Sequence, residues 1–434
     1  MVQIDRLSKL LRNTPLNAFT GWAMVVLLFV LGIVNLMNGR LTWFALIVLV
    51  ICIIIAPALL LRKFSVMPSW YFVVLAIIPI LGSTTAYYLF LTAIPVYFSV
   101  ATIALLLAAE ISWFTSVRMH YKFAIVLVVV TTLAMSGLWH LLQWHMDISL
   151  GTSFLLDGRT SEEINAHVMY RFIYATITGI IAGLFFGWYF KKERPGERIE
   201  LPPQGSMKTP DFPSTVPPAP IYKLLGMSDE KQKLATRIMQ AGLFMLFMVG
   251  IGMKDLHTTL NAIAGLAITF VPAIIRNKYS IVLDPGLALW ITLAIFLDVL
   301  GTFAFYNNIA RWDNLTHTVS AIVVAAAGYV LIRSIDIHSD KIYIPPKVLF
   351  LFILLFILAT SVLWEILEFL TDEMAKELGI KVFLIQHGIN DTMTDMSFNL
   401  LGAILVAIWG TAYLSDISYR LADKFGEKAA KKKE

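Results

Sequence analysis

Cysteine is almost missing from this chain: Cys52 stands alone, so no intrachain disulfide can form and the redox compartment stays unread. Charge is scarce as well, at 15% of 434 residues. Set against 58% hydrophobic residues and a mean hydropathy of +0.75, that scarcity excludes an ordinary soluble domain. What is present instead is a series of twelve apolar runs, near 20–37, 41–61, 70–90, 92–115, 123–143, 167–190, 236–253, 258–275, 281–306, 315–333, 348–370 and 392–414. Each is roughly 17 to 25 residues long, the length that crosses a hydrocarbon core of about 30 Å. No small-residue cleavage pattern follows the first run, so it reads as a retained span rather than a signal peptide. The expected fold class is all-α, a polytopic transmembrane bundle of about twelve spans.

Lys and Arg concentrate in cytoplasmic loops. With the N-terminus inside, Arg62, Lys63, Arg118, Lys122, Lys191, Lys192, Arg276, Lys278 and the tail Lys431 to Lys433 all fall on the cytoplasmic side. Both termini are therefore expected in the cytoplasm, in a multi-pass protein of the cell membrane. The bias accounts for the net charge of +5 without a nucleic-acid partner. Between the sixth and seventh runs Pro195, Pro202, Pro203, Pro210, Pro213, Pro217, Pro218 and Pro220 crowd among Ser, Thr, Gly and charged residues. Proline at that density removes backbone donors, so 191–226 reads as an extended cytoplasmic linker. It divides the chain into a six-span half, 1–190, and a second six-span half with a basic tail, 227–434.

The halves resemble each other. Ser136-Gly-Leu-Trp139-His140-Leu-Leu-Gln143-Trp144, followed by Asp147, aligns with Ser361-Val-Leu-Trp364-Glu365-Ile-Leu-Glu368-Phe369, followed by Asp372. Gly179 and Gly187 match Gly402 and Gly410 at nearly the same offset. Near-constant offsets argue for duplication, and six spans per half would make the repeats parallel. The chemistry differs between them, since Glu365 and Glu368 correspond to His140 and Gln143. The second half is the better functional candidate. His140, His145 and His167 form a further histidine group whose spacing suits a metal or interhelical hydrogen bonds.

Asp313, His317, Glu365, Glu368, Asp391, Asp395 and Asn399 all sit at the ends of apolar runs. Ionisable groups at such depths are costly and mark function. Residues three or four apart share a helix face, so Asp313 with His317, Glu365 with Glu368, and Asp391 with Asp395 and Asn399 each make a stripe. The inferred topology sends all three stripes towards the outer membrane face, with Asp298 as a further polar neighbour. A divalent cation on Asp313, His317, Glu365, Asp391 and Asp395 would neutralise them, and an oxygen-rich set with one imidazole favours Mg²⁺ or Mn²⁺ over Zn²⁺ or Fe²⁺. Otherwise the acids share protons, as relay groups do. The plainer readings make Asp313 and Asp391 helix N-caps and Trp312 and Trp364 interface-belt aromatics.

The order Asp313-x-x-x-His317, a glutamate on the next span, then Asp395-x-x-x-Asn399-x-x-Gly402 resembles the VanZ-like membrane proteins and their bacterial and archaeal relatives, over roughly 290–414. The resemblance implies a membrane-embedded helical module of the cell envelope, with glycopeptide-antibiotic tolerance as the role that names the family. Three function classes follow. The preferred one is an enzyme acting on a lipid head group or lipid-linked envelope intermediate, with Glu365, His317 and Glu368 moving protons and membrane lipid as the partner. The second is a secondary transporter built from two six-span halves. The loop at 61–69 lacks the Gly-Asp-Arg pattern of major-facilitator proteins, which counts against it. The third is a noncatalytic lipid-binding or assembly protein.

Overall fold

The computed structural model describes residues 10–85, 93–115, 117, 119–192, 227–279, 285–306, 308–309, 311–339, 342–378, 386–414 and 418. Residues 193–226 of the expected linker 191–226 and the basic tail lie outside them. Among the described residues eleven helices are long and apolar enough to cross a membrane, and Trp70–Gly82 is a shorter apolar helix. The shorter one begins the third expected span, whose remainder at 86–90 is not described. An all-α polytopic bundle is what the composition dictates, because a helix satisfies its own backbone where no water can.

The chain divides into two compact units. The first comprises Met1–Ser136, Arg171–Ser214 and Lys341–Tyr343; the second comprises Gly137–Tyr170, Thr215–Asp340 and Ile344–Glu434. Residues 137–170, which the sequence division groups with the N-terminal half, fall in the second unit.

In the first unit a short strand, β1 (Leu11–Asn13), pairs antiparallel with β2 (Val66–Pro68). Helix α1 (Pro15–Met37) starts with Pro15 in its first turn and Thr14 as its cap, accepting from the Asn17 amide at 3.4 Å. The buried Asn17 side chain donates to the carbonyls of Met67 (3.2 Å) and Pro68 (3.1 Å) and accepts from the Trp70 amide (3.0 Å). One amide group thus ties α1 to the turn between α2 (Leu41–Leu60) and α3 (Trp70–Thr85). Leu28, Leu31, Ile47, Val50, Ile54, Val73 and Ile77 fill the core of these three helices. The remaining helices of this unit are α4 (Ala93–Phe114) and parts of α5 (Tyr121–Leu150) and α6 (Ser161–Lys192).

The second unit takes in the C-terminal part of α5, from Gly137 on. Asp147 accepts from the Thr152 hydroxyl (2.6 Å) and from the amides of Phe154 (2.7 Å), Leu155 (2.7 Å) and Leu156 (2.8 Å). A carboxylate so surrounded by donors fixes the turn that leads into α6. Helices α7 (Asp229–Gly252) and α8 (Leu256–Ile268) form a hairpin, joined by Asp255 as N-cap of α8. Helix α9 (Val271–Tyr279) follows, then α10 (Pro285–Leu300), whose end widens into a π-helical turn, Gly301–Phe305. Helices α11 (Trp312–His338), α12 (Pro346–Leu378) and α13 (Ile389–Tyr413) carry the polar stripes.

Small residues let these three helices approach closely, as membrane helices require in the absence of a hydrophobic force between them. A Cβ on Gly402 of α13 would lie 2.6 Å from the Thr318 carbonyl oxygen and 2.9 Å from Ala321 Cβ, both on α11. A Cβ on Gly328 of α11 would lie 2.5 Å from the Phe356 ring of α12. The sequence motif therefore ends in Gly402 for a packing reason.

Candidate functional site

Close approach of α11 and α13 creates the central contact. His317 Nε2 stands 3.6 Å from Asp313 Oδ1, one helical turn away, and 3.5 Å from Asp395 Oδ2 on α13. Donor atoms of Asp313, His317 and Asp395 all lie within 4.8 Å of one another. These separations are longer than direct hydrogen bonds and suit three ligands around a small cation, whose own bonds to oxygen and imidazole are about 2.0–2.2 Å. Asp395 is 3% exposed, and its Oδ1 has no hydrogen-bond partner. A buried carboxyl oxygen left unmet costs free energy unless a ligand or ion meets it.

Neither first-turn aspartate is an N-cap. Helix α11 is capped by Arg311 in the left-handed conformation (φ 67°), which places Asp313 inside the helix. Asp391 lies in the first turn of α13 and accepts from the His387 amide at 3.2 Å, reaching back across the cap. A carboxylate there complements the positive end of the helix dipole. Asp391 and Glu365 fall outside the three-donor group, although both interact electrostatically with Asp313.

Glu365 is wholly buried. Its Oε2 accepts from Gln386 Nε2 at 2.9 Å, and its Oε1 has no partner. Glu368, half-buried one turn on, accepts from the Trp364 indole at 2.8 Å. Trp364 thus carries a hydrogen bond to the acid stripe while its ring remains exposed. Asn399 donates to the Ser361 hydroxyl at 3.1 Å and braces α13 against α12. Asp298 accepts from the Tyr306 hydroxyl at 2.7 Å and interacts electrostatically with His317 and Asp313.

Tyr306 reaches Asp298 because the π-helical turn swings its ring back over Gly301, where a Cβ would lie 2.6 Å from Tyr306 Cζ. The Trp312 indole donates to the Leu297 carbonyl at 3.0 Å, supplying a donor to α10 just before the irregular turn. Such π turns recur at functional sites.

The histidine group of the first half does not assemble into a metal site: among the described residues His140, His145 and His167 make no cluster close enough to share an ion. His140 is buried, His167 is exposed, and His145 lies 3.3 Å from the Ser397 hydroxyl. Sequence reasoning overlooked Gln386, Asn165, Thr392 and Tyr306. Asn165 carried a readable signal as an amide at the mouth of an apolar run, whereas Gln386 sits in a polar connection with nothing to single it out.

Residues 234–416, which hold every member of the expected polar set, match a family described as "Predicted membrane protein (DUF2238)". Residues 5–67 match a "Domain of unknown function (DUF8268)". A protein of Thermotoga maritima described as "Uncharacterized protein" is 33% identical over 121 residues, which is 27% of this chain and 58% of that one. The chain thus aligns with little more than half the length of that relative. No solved structure matches. The family description agrees with a membrane protein and carries no VanZ-like name.

Proposed function

We propose that the second unit holds a divalent cation on Asp313, His317 and Asp395 and acts there on the phosphate-bearing head group of a lipid or lipid-linked envelope intermediate. Asp395 carries this reading. One of its oxygens lies 3.5 Å from an imidazole nitrogen, and the other is buried with no partner. Two carboxyls and a histidine favour Mg²⁺ or Mn²⁺, and such an ion would polarise a phosphoryl oxygen as a Lewis acid. Glu365 and Glu368 stand ready to hold or move a proton beside it. Leu363, Trp364 and Leu367 are exposed on the same helix, so a ligand approaching from that side meets apolar surface before it meets acid. An amphipathic molecule fits that sequence of surfaces. With both termini cytoplasmic, the stripes lie towards the outer leaflet.

The test is metal content. Full-length protein is equilibrated with Mn²⁺, desalted and analysed by inductively coupled plasma mass spectrometry beside Asp395→Asn and His317→Ala. Retained Mn²⁺ that both substitutions abolish supports the site. Wild-type protein that retains none after Mn²⁺, Mg²⁺ or Zn²⁺ loading overturns it. Membrane lipid composition that stays the same when the gene is deleted would remove the head-group chemistry and favour an assembly role.

A further inference from the structure

A directional chain of hydrogen bonds ends on Glu365. Thr392 Oγ1 donates to Asn165 Oδ1 at 3.1 Å, Asn165 Nδ2 donates to Gln386 Oε1 at 2.7 Å, and Gln386 Nε2 donates to Glu365 Oε2 at 2.9 Å. Asn165 and Thr392 are buried, and Gln386 is half-buried. The order of donors fixes the orientation of both amides. Turning Gln386 over would set oxygen against carboxyl oxygen at one end and amino group against amino group at the other. Gln386 Nε2 also lies 3.4 Å from the Glu365 carbonyl and 3.6 Å from Met169 Sδ, so the donor is held from several sides.

The chain draws on three separate stretches, namely α6, the connection before α13, and α13 itself. Thr392 also interacts with the Glu365 carboxyl, and the well-formed bond of the chain, from Gln386, falls on Oε2. Glu365 Oε1, in the same fully buried carboxyl, has no partner. Leaving such an atom unmet costs free energy. Gln386 holds Oε2, and Oε1 is left without a donor.

We propose that Gln386, supported by Asn165, is a positioning residue for Glu365, holding it by Oε2 so that Oε1 is the acceptor presented to the ligand of this site. The ligand class follows from that acceptor: a head group bearing a hydrogen-bond donor, a hydroxyl or an amine, besides its phosphate. This rests on the Asp313, His317 and Asp395 cluster being a ligand site, while the orientation of Glu365 is measurable without it.

Infrared spectroscopy reads that orientation. Full-length protein is placed in phosphatidylcholine vesicles, whose head group offers no donor, and the Glu365 carboxyl band is assigned by its loss in Glu365→Gln. Gln386→Met, which keeps the volume and removes the donor, is expected to shift the band. Asn165→Leu is expected to shift it in the same direction although Asn165 does not hydrogen-bond Glu365, and the double variant to shift it no further than Gln386→Met alone. Replacing the vesicles with phosphatidylglycerol or phosphatidylethanolamine is expected to move the wild-type band and to move it less in Gln386→Met. An unmoved band in Gln386→Met of native helix content and monodisperse elution overturns the positioning role. A band indifferent to head group overturns the ligand class. If Gln386→Met fails to fold, Gln386→Asn and Asn165→Leu provide the same comparison. Mn²⁺ binding is measured on the same samples, so a missing cation would remove the metal reading while a band shift kept this one.

Discussion

His317 on α11 stands 3.5 Å from Asp395 on α13, and the contact exists because Gly402 lets the two helix backbones close on each other. A methyl group at 402 would meet the Thr318 carbonyl at 2.6 Å, which is backbone and has little freedom to retreat. Gly402→Ala is expected to push α13 away from α11, to lower stability by about 1–3 kcal/mol and to weaken Mn²⁺ retention. Thermal unfolding in detergent, with the metal assay alongside, checks it. Unchanged unfolding and unchanged metal would mean that the helices are not pressed together here.

Removing one ligand from a small cation costs more than removing an outer-shell partner, for which losses of about 10- to 100-fold in affinity are usual. Asp395→Asn and His317→Gln are therefore each expected to weaken Mn²⁺ binding by at least about 100-fold. Asp391→Asn, outside the three-donor group, is expected to weaken it far less. Equal losses for all three, measured by electron paramagnetic resonance titration, would show that the ion sits on a wider set of acids.

Tyr306→Phe deletes the hydroxyl that donates to Asp298 at 2.7 Å and leaves a polar group of α10 without that donor. The expected cost is about 1–3 kcal/mol in unfolding free energy. Adding Asp298→Leu should recover part of it, because an apolar pair needs no donor. A double variant no more stable than Tyr306→Phe would argue that Asp298 is held by other partners.

Hydropathy made the helices legible, and helical spacing made the stripes legible. Asp313 with His317 and Asp391 with Asp395 needed only a period of three to four residues. What spacing cannot supply is the rotation of one helix against another. That rotation decides that Asp395 meets His317 while Glu365 meets Gln386, and it depends on small-residue contacts such as Gly402 against Thr318. The aligned acids Asp147 and Asp372 illustrate the same limit. Asp147 gathers backbone amides into a turn, whereas Asp372 pairs with Lys376 at 3.0 Å. Asp313 is not an N-cap because α11 already starts at Trp312, with Arg311 as its cap.

Asp255, outside the spans, gives a prediction in pH. As N-cap of α8 it accepts from the Thr258 hydroxyl at 2.5 Å and the His257 amide at 3.1 Å, and the Thr258 hydrogen bond holds its carboxyl below the usual aspartate range. A group whose folded pKa is depressed contributes stability above its unfolded value, near 3.9, and loses it as pH falls through the folded value. The cap is worth about 0.5–2 kcal/mol, towards the low end for a half-buried group in contact with solvent. Asp255→Ala should therefore lower the unfolding midpoint at pH 6, and the gap from wild type should narrow below about pH 4. A gap of constant size from pH 6 to pH 3 would show that the charged carboxylate contributes nothing to the cap.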